Sequence, residues 1–238
     1  MNDEKPDLKS GEEWIEGQIL IFDKPFGWTS FQLVKKVRVL VERRHQIRKL
    51  KVGHAGTLDP LATGLMVIAT GKATRKLEAL QLEDKEYLAT VRLGATTPSF
   101  DLETPVDHLY PFQHITEEAV LDLFTKMTGE QDQVPPLFSA KKIDGVRAYT
   151  YARKGREKTL EANRIRITRI ELVRFDLPEI AFIVGCSKGT YIRALARDLG
   201  TRLGSGGHLT ALRRTASGNF TVETAYTVES FEKYFRAT

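Results

Sequence analysis

Apolar residues recur at every second position, or fill short continuous runs, in five stretches of the chain. Both patterns are typical of β-strands, with one buried face in the first case and two in the second. The stretches are GQILIFDKP (17–25), GLMVIAT (64–70), EYLATVRLGA (86–95), IRITRIELVRF (165–175) and EIAFIVGCS (179–187). The last two follow each other closely and predict paired strands.

Helical spacing separates these strands. Thr29 and Ser30 can cap a helix in which Phe31, Val34, Val37 and Val41 share one face. Other predicted helices are KATRKLEALQL, one that opens at Thr116 and stops at Gly129, one from Thr190 with Ile192, Leu195 and Leu199 inward, and a last one capped by Thr227. Because several strands follow one another directly, we predict an α+β fold with a mixed, mostly antiparallel sheet flanked by helices.

Composition narrows the class of protein only slightly. The chain has 238 residues, is 41% hydrophobic and has a formal net charge of +5, which permits a polyanionic partner without requiring one. A single cysteine, Cys186, excludes an internal disulfide and suits a reducing cytoplasm. The sequence shows no membrane-length apolar run and no secretory signal, and its polar residues 1–16 predict a mobile tail.

The glycine-rich stretch KVGHAGTLDPLATGLMVIATGKATR (51–75) carries the first candidate chemistry. It is not a phosphate-binding P-loop, because six residues separate Gly64 from Gly71 and Ala73 replaces the hydroxyl that would hold magnesium. Scattered histidines predict no metal site. Asp59 precedes a proline and is therefore held in an extended or turn conformation, which is typical both of a plain turn and of a carboxylate presented to a substrate.

Six co-linear motifs decide between these readings of Asp59. They are IFDKPFGWTSF, GHAGTLDPLATGLM, KEYLATVRLGATT, VPPLFSAKKIDGVRAYTYARKG, CSKGTYIRALARDLG and GGHLTALRRT, and they run from about Gly17 to Thr215. In order and spacing they resemble the TruB family of pseudouridine synthases. The resemblance implies a pseudouridine synthase fold and an enzyme that isomerises one uridine in the T-loop of tRNA, at position 55, without cofactor or metal.

The resemblance also assigns roles by position. Asp59 matches the catalytic aspartate, Arg193 the arginine that pairs with it, and Tyr87 the tyrosine that stacks on the target uracil. The other residues matched to substrate binding are Tyr191, Leu212, His54 and Lys24. The residue types suit the reaction, because a flipped nucleotide needs a flat aromatic face and a buried carboxylate needs a guanidinium to stay ionised.

Two further elements are candidates for holding the RNA. The segment at about 134–155 matches an RNA-clasping insertion, whose backbone contacts would come from Lys141, Lys142, Arg147 and Arg153. The basic run Arg43–Lys51 is either an RNA-facing loop or a solvated connector. Residues 17–238 are expected to form one catalytic domain without the small C-terminal PUA-type domain of many relatives.

Several alternatives remain open at this stage. Asp59 either attacks C1′ of the ribose or helps to remove a ribose proton. The expected enzyme is a cytoplasmic monomer that acts on the T-arm of tRNA without a membrane or an obligatory protein partner. Its rivals are a non-catalytic RNA-binding module on the same scaffold and a synthase that works on another RNA within a guide-RNA complex.

Overall fold

The computed structural model describes residues 10–139, 142–143, 146–147, 150–151 and 160–236. At 142–143, 146–147 and 236 only the backbone is described. The helices are α1 Gly11–Glu16, α2 Ser30–His45, α3 Leu77–Leu82, α4 Glu117–Met127, α5 Ile192–Arg202 and α6 Val228–Arg236. Short 3₁₀ helices span Gly71–Lys76 and Val222–Thr224.

Several strands follow one another directly between these helices, as predicted. They are β1 Ile19–Lys24, β2 Val52–Ala55, β3 Thr63–Thr70, β4 Lys85–Leu93, β5 Ala95–Thr96, β6 His108–Leu109, β7 Gly129–Gln133, β8 Lys142–Ile143, β9 Val146–Arg147, β10 Asn163–Asp176, β11 Glu179–Cys186, β12 Gly207–Ser217 and β13 Phe220–Thr221. The chain forms two compact units. Unit 1 comprises Met1–Glu83 with Arg213–Thr238, and unit 2 comprises Asp84–Leu212.

The strands of unit 1 are organised around β3. One edge of β3 pairs antiparallel with β1, with Lys24 opposite Gly64, and its other edge pairs antiparallel with β2. Arg213 and Arg214 of β12 pair parallel with Thr63 and Gly64. Seven of the eight residues of β3 are buried, as expected of a continuous apolar run covered on both faces.

The core of unit 1 extends to the N-terminal helix. Trp14 is buried and its ring lies 6.5 Å from that of Phe231, which also meets Phe22 edge-on at 4.9 Å. Ser10 and Glu13 form a capping box at the start of α1. The sequence predicts a mobile tail over residues 1–16, but the helix cap and the buried Trp14 fix residues 10–16. Residues 1–9 lie outside the described part.

In unit 2, the helices α4 and α5 cover a series of antiparallel strands. β4 pairs with β11, β11 with β10, and β10 with β7. Alternate residues of β4 are buried, which confirms the pattern predicted for this strand. Phe124 of α4 meets Phe182 of β11 edge-on at 5.3 Å, and α5 buries most of its first nine residues. Together with the parallel pairing of β12 with β3 in unit 1, this confirms an α+β fold with mixed, mostly antiparallel strands.

Two helix predictions need correction. Phe31 has the spacing of the buried face of α2, yet its side chain is 67% exposed, and Ser30 and Leu33 are buried instead. The segment predicted as one helix from Lys72 begins as the 3₁₀ turn Gly71–Lys76, and only Leu77–Leu82 is α-helical. Gly71 has φ +50° and a Cβ there would lie 2.0 Å from the carbonyl oxygen of Ile15, so close packing against α1 shapes this turn.

Candidate active site

The loop that carries Asp59 connects β2 to β3 and is fastened on both sides of the aspartate. The hydroxyl of Ser30 donates to the carbonyl of Leu58 and accepts from its N–H, both at 2.9 Å. The N–H of Gly27 donates to the carbonyl of Pro60 at 2.9 Å. The N–H of Ala62 donates to the carbonyl of Asp59 at 3.1 Å, which closes the turn that the Asp-Pro pair predicts. The carboxylate is thus presented by a fixed, half-buried turn.

Lys24, at the end of β1, lies in the same neighbourhood. Its side chain is fully buried, and its ammonium donates to the carbonyls of Trp28 at 2.7 Å, Pro25 at 3.0 Å and Pro60 at 3.4 Å. Burial lowers the pKa of Lys24 to about 8, while the negative charge of Asp59 opposes that shift. Lys24 therefore ties the first motif to the Asp59 loop and places a cation beside it.

The low pKa of Lys24 predicts a pH-dependent stability. Its folded-state pKa lies below the usual lysine pKa of about 10.5, so between about pH 8 and 10.5 the unfolded chain binds more protons and the folded state gains stability as the pH rises. We would measure the free energy of unfolding in urea for wild type and for Lys24→Met. The value for wild type minus that for Lys24→Met is expected to increase by about 2–3 kcal/mol from roughly pH 7 to pH 10. Other titrations cancel in this difference, and a difference that stays constant with pH would contradict the prediction.

Arg214 on β12 is the residue of unit 1 that the sequence analysis missed. Its side chain is only 2% exposed. Nε donates to the carbonyl of Leu65 at 2.6 Å and a terminal nitrogen donates to the carbonyl of Gly56 at 3.1 Å, so one guanidinium joins the two ends of the Asp59 loop. The signal was present in the sequence: neighbouring residues of a strand point to opposite faces, so one of the two arginines in LRR must point inward.

His54 lies on β2, two residues before Gly56. Burial lowers its pKa, the positive charge of Arg214 lowers it further, and the carbonyl of Gly56 acts more weakly in the opposite direction. The imidazole is therefore neutral at neutral pH. Its Nδ1 is buried and has no hydrogen-bond partner within the described ranges. A buried polar atom left open in this way is suited to a ligand or water.

In unit 2, Arg193 is placed by the first turn of α5, as predicted. Its side chain is buried and donates to the carbonyls of Ser99 at 3.2 Å and Phe138 at 2.8 Å. Nε lies 3.6 Å from the carboxylate of Asp101, which is also buried. Asp101 is thus a second candidate residue that sequence reasoning missed, because nothing in its loop sequence marks it. The predicted pairing of Arg193 with Asp59 joins residues of different units and stays a prediction.

The start of α5 also holds the segment that leads into the predicted insertion. Tyr191 exchanges two hydrogen bonds with the side chain of Gln133, its N–H donating at 2.8 Å and its carbonyl accepting at 3.2 Å. Arg197 donates to the carbonyl of Val134 at 3.0 Å. Together with the hydrogen bond from Arg193 to Phe138, these bonds fix residues 133–138 to the start of α5.

The remaining predicted site residues lie on the strands of unit 2 or in the insertion. Tyr87 is buried on β4 opposite Val184, and Leu212 is half-buried on β12. Of the predicted backbone contacts, Lys142 and Arg147 face each other across the short hairpin of β8 and β9, and nothing is described of their side chains. Lys141 and Arg153 lie outside the described residues.

Two family models match the chain. One, described as "TruB family pseudouridylate synthase (N terminal domain)", matches residues 43–192, and the other, "tRNA pseudouridylate synthase B C-terminal domain", matches residues 193–238. The chain belongs to the TruB family of pseudouridine synthases. The expected catalytic domain over 17–238 and the expected lack of a PUA-type domain stay predictions.

Bacterial members of the family cover nearly the whole chain. A protein of Phocaeicola vulgatus is 55% identical over 219 residues, which cover 92% of this chain and 93% of its own length. Relatives in Bacteroides fragilis (strain YCH46) and Chloroherpeton thalassium are 56% and 41% identical, and they cover 87% and 90% of this chain and 89% and 88% of their own lengths. All three bear the name tRNA pseudouridine synthase B.

Solved structures show the same fold. A chain of the archaeal box H/ACA sRNP Nop10–Cbf5 complex matches with a TM-score of 0.68 at 28% identity, and one of a Cbf5–Nop10–Gar1 complex with 0.70 at 29%. Both matches cover 97% of this chain but only 58% and 61% of the other. The pseudouridine synthase fold implied by the sequence is thereby confirmed.

The structure also bears on metals and membranes. Within the described ranges, no three His, Cys, Asp or Glu residues are grouped closely enough to hold a metal ion. None of the helices in the described part of the chain is both long and apolar enough to cross a membrane.

Proposed function

We propose that the protein isomerises a uridine in the T-loop of tRNA, at position 55 of the family's substrates, to pseudouridine. The observation that carries the proposal is the match to tRNA pseudouridine synthase B of Phocaeicola vulgatus, 55% identical over 92% of the chain. The fixed Asp59 turn, with Lys24 and Arg214 around it, supports the assignment because pure RNA binding does not need a carboxylate held in place beside a polyanion.

In this reaction the N1–C1′ bond breaks, the uracil turns, and a C5–C1′ bond forms. C5 loses its hydrogen as a proton, and N1 ends with a proton, so the product is an isomer of the substrate. Asp59 acts on the ribose, either by attack on C1′ or by helping to remove a ribose proton. Both routes need the nucleotide flipped out of the RNA loop.

The other predicted residues divide the remaining tasks. Tyr87 offers an aromatic face to the uracil and a hydroxyl that can carry a proton. His54, neutral and with an open buried Nδ1, faces the flipped nucleotide, and Lys24 keeps a cation beside Asp59. Leu212 contacts the base, Tyr191 contributes to substrate binding, and Arg193 holds Asp59 ionised.

The insertion at about 134–155 closes over the T-arm in this proposal. Its first residues are anchored to α5 by Arg193 and Arg197, which gives the segment a fixed base. Lys141, Lys142, Arg147 and Arg153 then meet phosphates. The protein acts in the cytoplasm as a monomer, without cofactor or metal.

The likeness to a chain of the two Cbf5 complexes favours one rival, a synthase that works within a protein and guide-RNA assembly. One of those structures is a complex of Nop10 and Cbf5, and the other also contains Gar1. We prefer a stand-alone tRNA enzyme because the relative in Phocaeicola vulgatus is about twice as similar in sequence and is matched over 93% of its length. The two functions differ in whether purified protein alone modifies tRNA.

Tritium release separates these possibilities. A tRNA transcript labelled with [5-³H]uridine loses tritium to water when C5 bonds to C1′. We expect purified protein alone to release one equivalent per tRNA, to be unaffected by excess EDTA on pre-folded RNA, and to release none from a transcript with cytidine at the target. Binding of the tRNA without tritium release would favour the RNA-binding module or the guide-dependent synthase.

A further inference from the structure

Unit 1 contains a basic pocket apart from the Asp59 loop. The pocket has a volume of about 300 Å³ and lies between the segment that follows α2 and the 3₁₀ turn Gly71–Lys76. Among the residues that the structure describes, five cationic side chains line it: Arg48, Lys49, Lys51, Lys72 and Arg75. No acidic residue of the described ranges lines it.

The walls of this basic pocket are held in place by the fold. Leu50 is buried, its N–H donates to the carboxylate of Glu42 at 2.8 Å, and the N–H of Ile47 donates to the carbonyl of Glu42 at 3.1 Å. The N–H of Gly71 donates to the carbonyl of Lys51 at 2.8 Å, which joins the two walls. The backbone of Lys49 has φ +60°, an uncommon conformation for a side chain of this kind. The pocket is therefore built by the backbone and is not a chance arrangement of surface lysines.

The charge in the pocket is largely uncompensated. In the described part of the chain, Arg48, Lys49, Lys51 and Arg75 form no ion pair, and only Lys72 has one, with Glu16 at 2.6 Å. By contrast, the exposed Arg164 of unit 2 is paired with two carboxylates. Like charges gathered around one cavity repel each other, and an anion in the cavity would relieve that repulsion.

The geometry points to a phosphodiester group of the tRNA backbone as the ligand of this basic pocket. The inference rests on the proposed function, and it concerns a nucleotide other than the target uridine. Lys51 leads directly into β2 and the Asp59 loop, and the eight residue steps from Lys51 to Asp59 span at most about 29 Å. An RNA arm that delivers its uridine to Asp59 has further phosphates within that reach. Exposed Lys and Arg side chains that have no acceptor partner are suited to bind the negative charge of a phosphate and not the edge of a base.

The test is a pair of double variants that remove the same charge. Arg48→Gln/Lys49→Gln removes two cations of the pocket, whereas Lys35→Gln/Lys233→Gln removes two exposed cations that form no ion pair and do not line it. Because all four side chains are exposed and unpaired in the described structure, both variants are expected to fold. We would measure tRNA binding as a function of salt and single-turnover isomerisation for each.

If a phosphate binds in the pocket, the pocket variant binds tRNA more weakly. Its salt slope, meaning the slope of the logarithm of tRNA affinity against the logarithm of salt concentration, becomes shallower by about 0.7–0.9 per lost contact. Its rate at saturating tRNA equals that of wild type, and the control variant keeps the wild-type slope. Equal salt slopes for the two variants would overturn the inference while leaving the isomerase function intact.

A third arm separates RNA from a small free anion. Inorganic phosphate is added at constant ionic strength, and we expect it to leave tRNA binding by wild type unchanged. Competition by phosphate that is seen with wild type and is lost in the pocket variant would reassign the pocket to a small anion. Suppose that neither wild type nor any variant isomerises tRNA, but that the salt slopes of the pocket variant and the control variant still differ. The proposed function would then be wrong, and the RNA contact at the pocket would still be supported.

Discussion

Asp59→Asn is expected to lower the single-turnover rate of uridine isomerisation by at least about 10³-fold, while tRNA binding remains. The amide keeps the size of the side chain but can neither attack C1′ nor accept a ribose proton. The fold should survive, because the loop is fastened by Leu58, Pro60 and Ala62 and not by the carboxylate alone. Loss of the negative charge should also move the pKa of Lys24 below about 8, since Asp59 acts to raise it.

The matched control is Asp122→Asn, which removes an exposed carboxylate that pairs with Lys126 within α4. An exposed pair of this kind contributes only a few tenths of a kcal/mol, so rate and stability should match wild type. Near-normal turnover by a purified, folded Asp59→Asn protein would remove Asp59 from the catalytic role.

Arg214→Met is expected to have the second largest effect, on stability and on activity together. The carbonyls of Leu65 and Gly56 would each lose a charged donor in a buried position, which we expect to cost about 3 kcal/mol in the free energy of unfolding. The two ends of the Asp59 loop would no longer be joined, so the rate should fall even where the variant is fully folded. The pKa of His54 should rise, because Arg214 helps to lower it.

The neighbouring Arg213 provides the control for Arg214. It makes two hydrogen bonds to Asp23, at 3.0 and 2.6 Å, but both side chains are partly exposed. Arg213→Met should therefore cost about 1 kcal/mol or less. Urea unfolding measures the free energy of unfolding of both variants. Equal losses of stability would show that the buried hydrogen bonds of Arg214 contribute no more than the partly exposed pair of Arg213.

Much of the fold follows from local patterns in the sequence. Thr29 caps α2, Thr116 caps α4, and the alternating residues of β4 are buried on one face, because each of these signals acts within a few residues of chain. Phe31 shows where this reasoning ends. Its spacing matches the buried face of α2, but the face is set by what packs against it, and Ser30 is buried there because its hydroxyl holds Leu58.

The candidate site divides in the same way. The motif that contains Asp59 also predicts the turn that presents it, since glycine and proline act locally. The roles of Arg214 and Asp101 depend on carbonyl and guanidinium groups that are distant in sequence, such as Leu65 for Arg214 and Arg193 for Asp101. Only the three-dimensional structure brings such partners together, although the arginine pair in LRR gave a partial signal.

Nucleotide-resolution mapping of pseudouridine in tRNA tests the central claim most directly. The tRNA would come from cells that lack this protein, complemented either with wild type or with Asp59→Asn. We predict that the T-loop pseudouridine is absent from the deficient cells, returns with wild type and does not return with Asp59→Asn. T-loop pseudouridine that persists in the deficient cells, or that Asp59→Asn restores, would contradict the account.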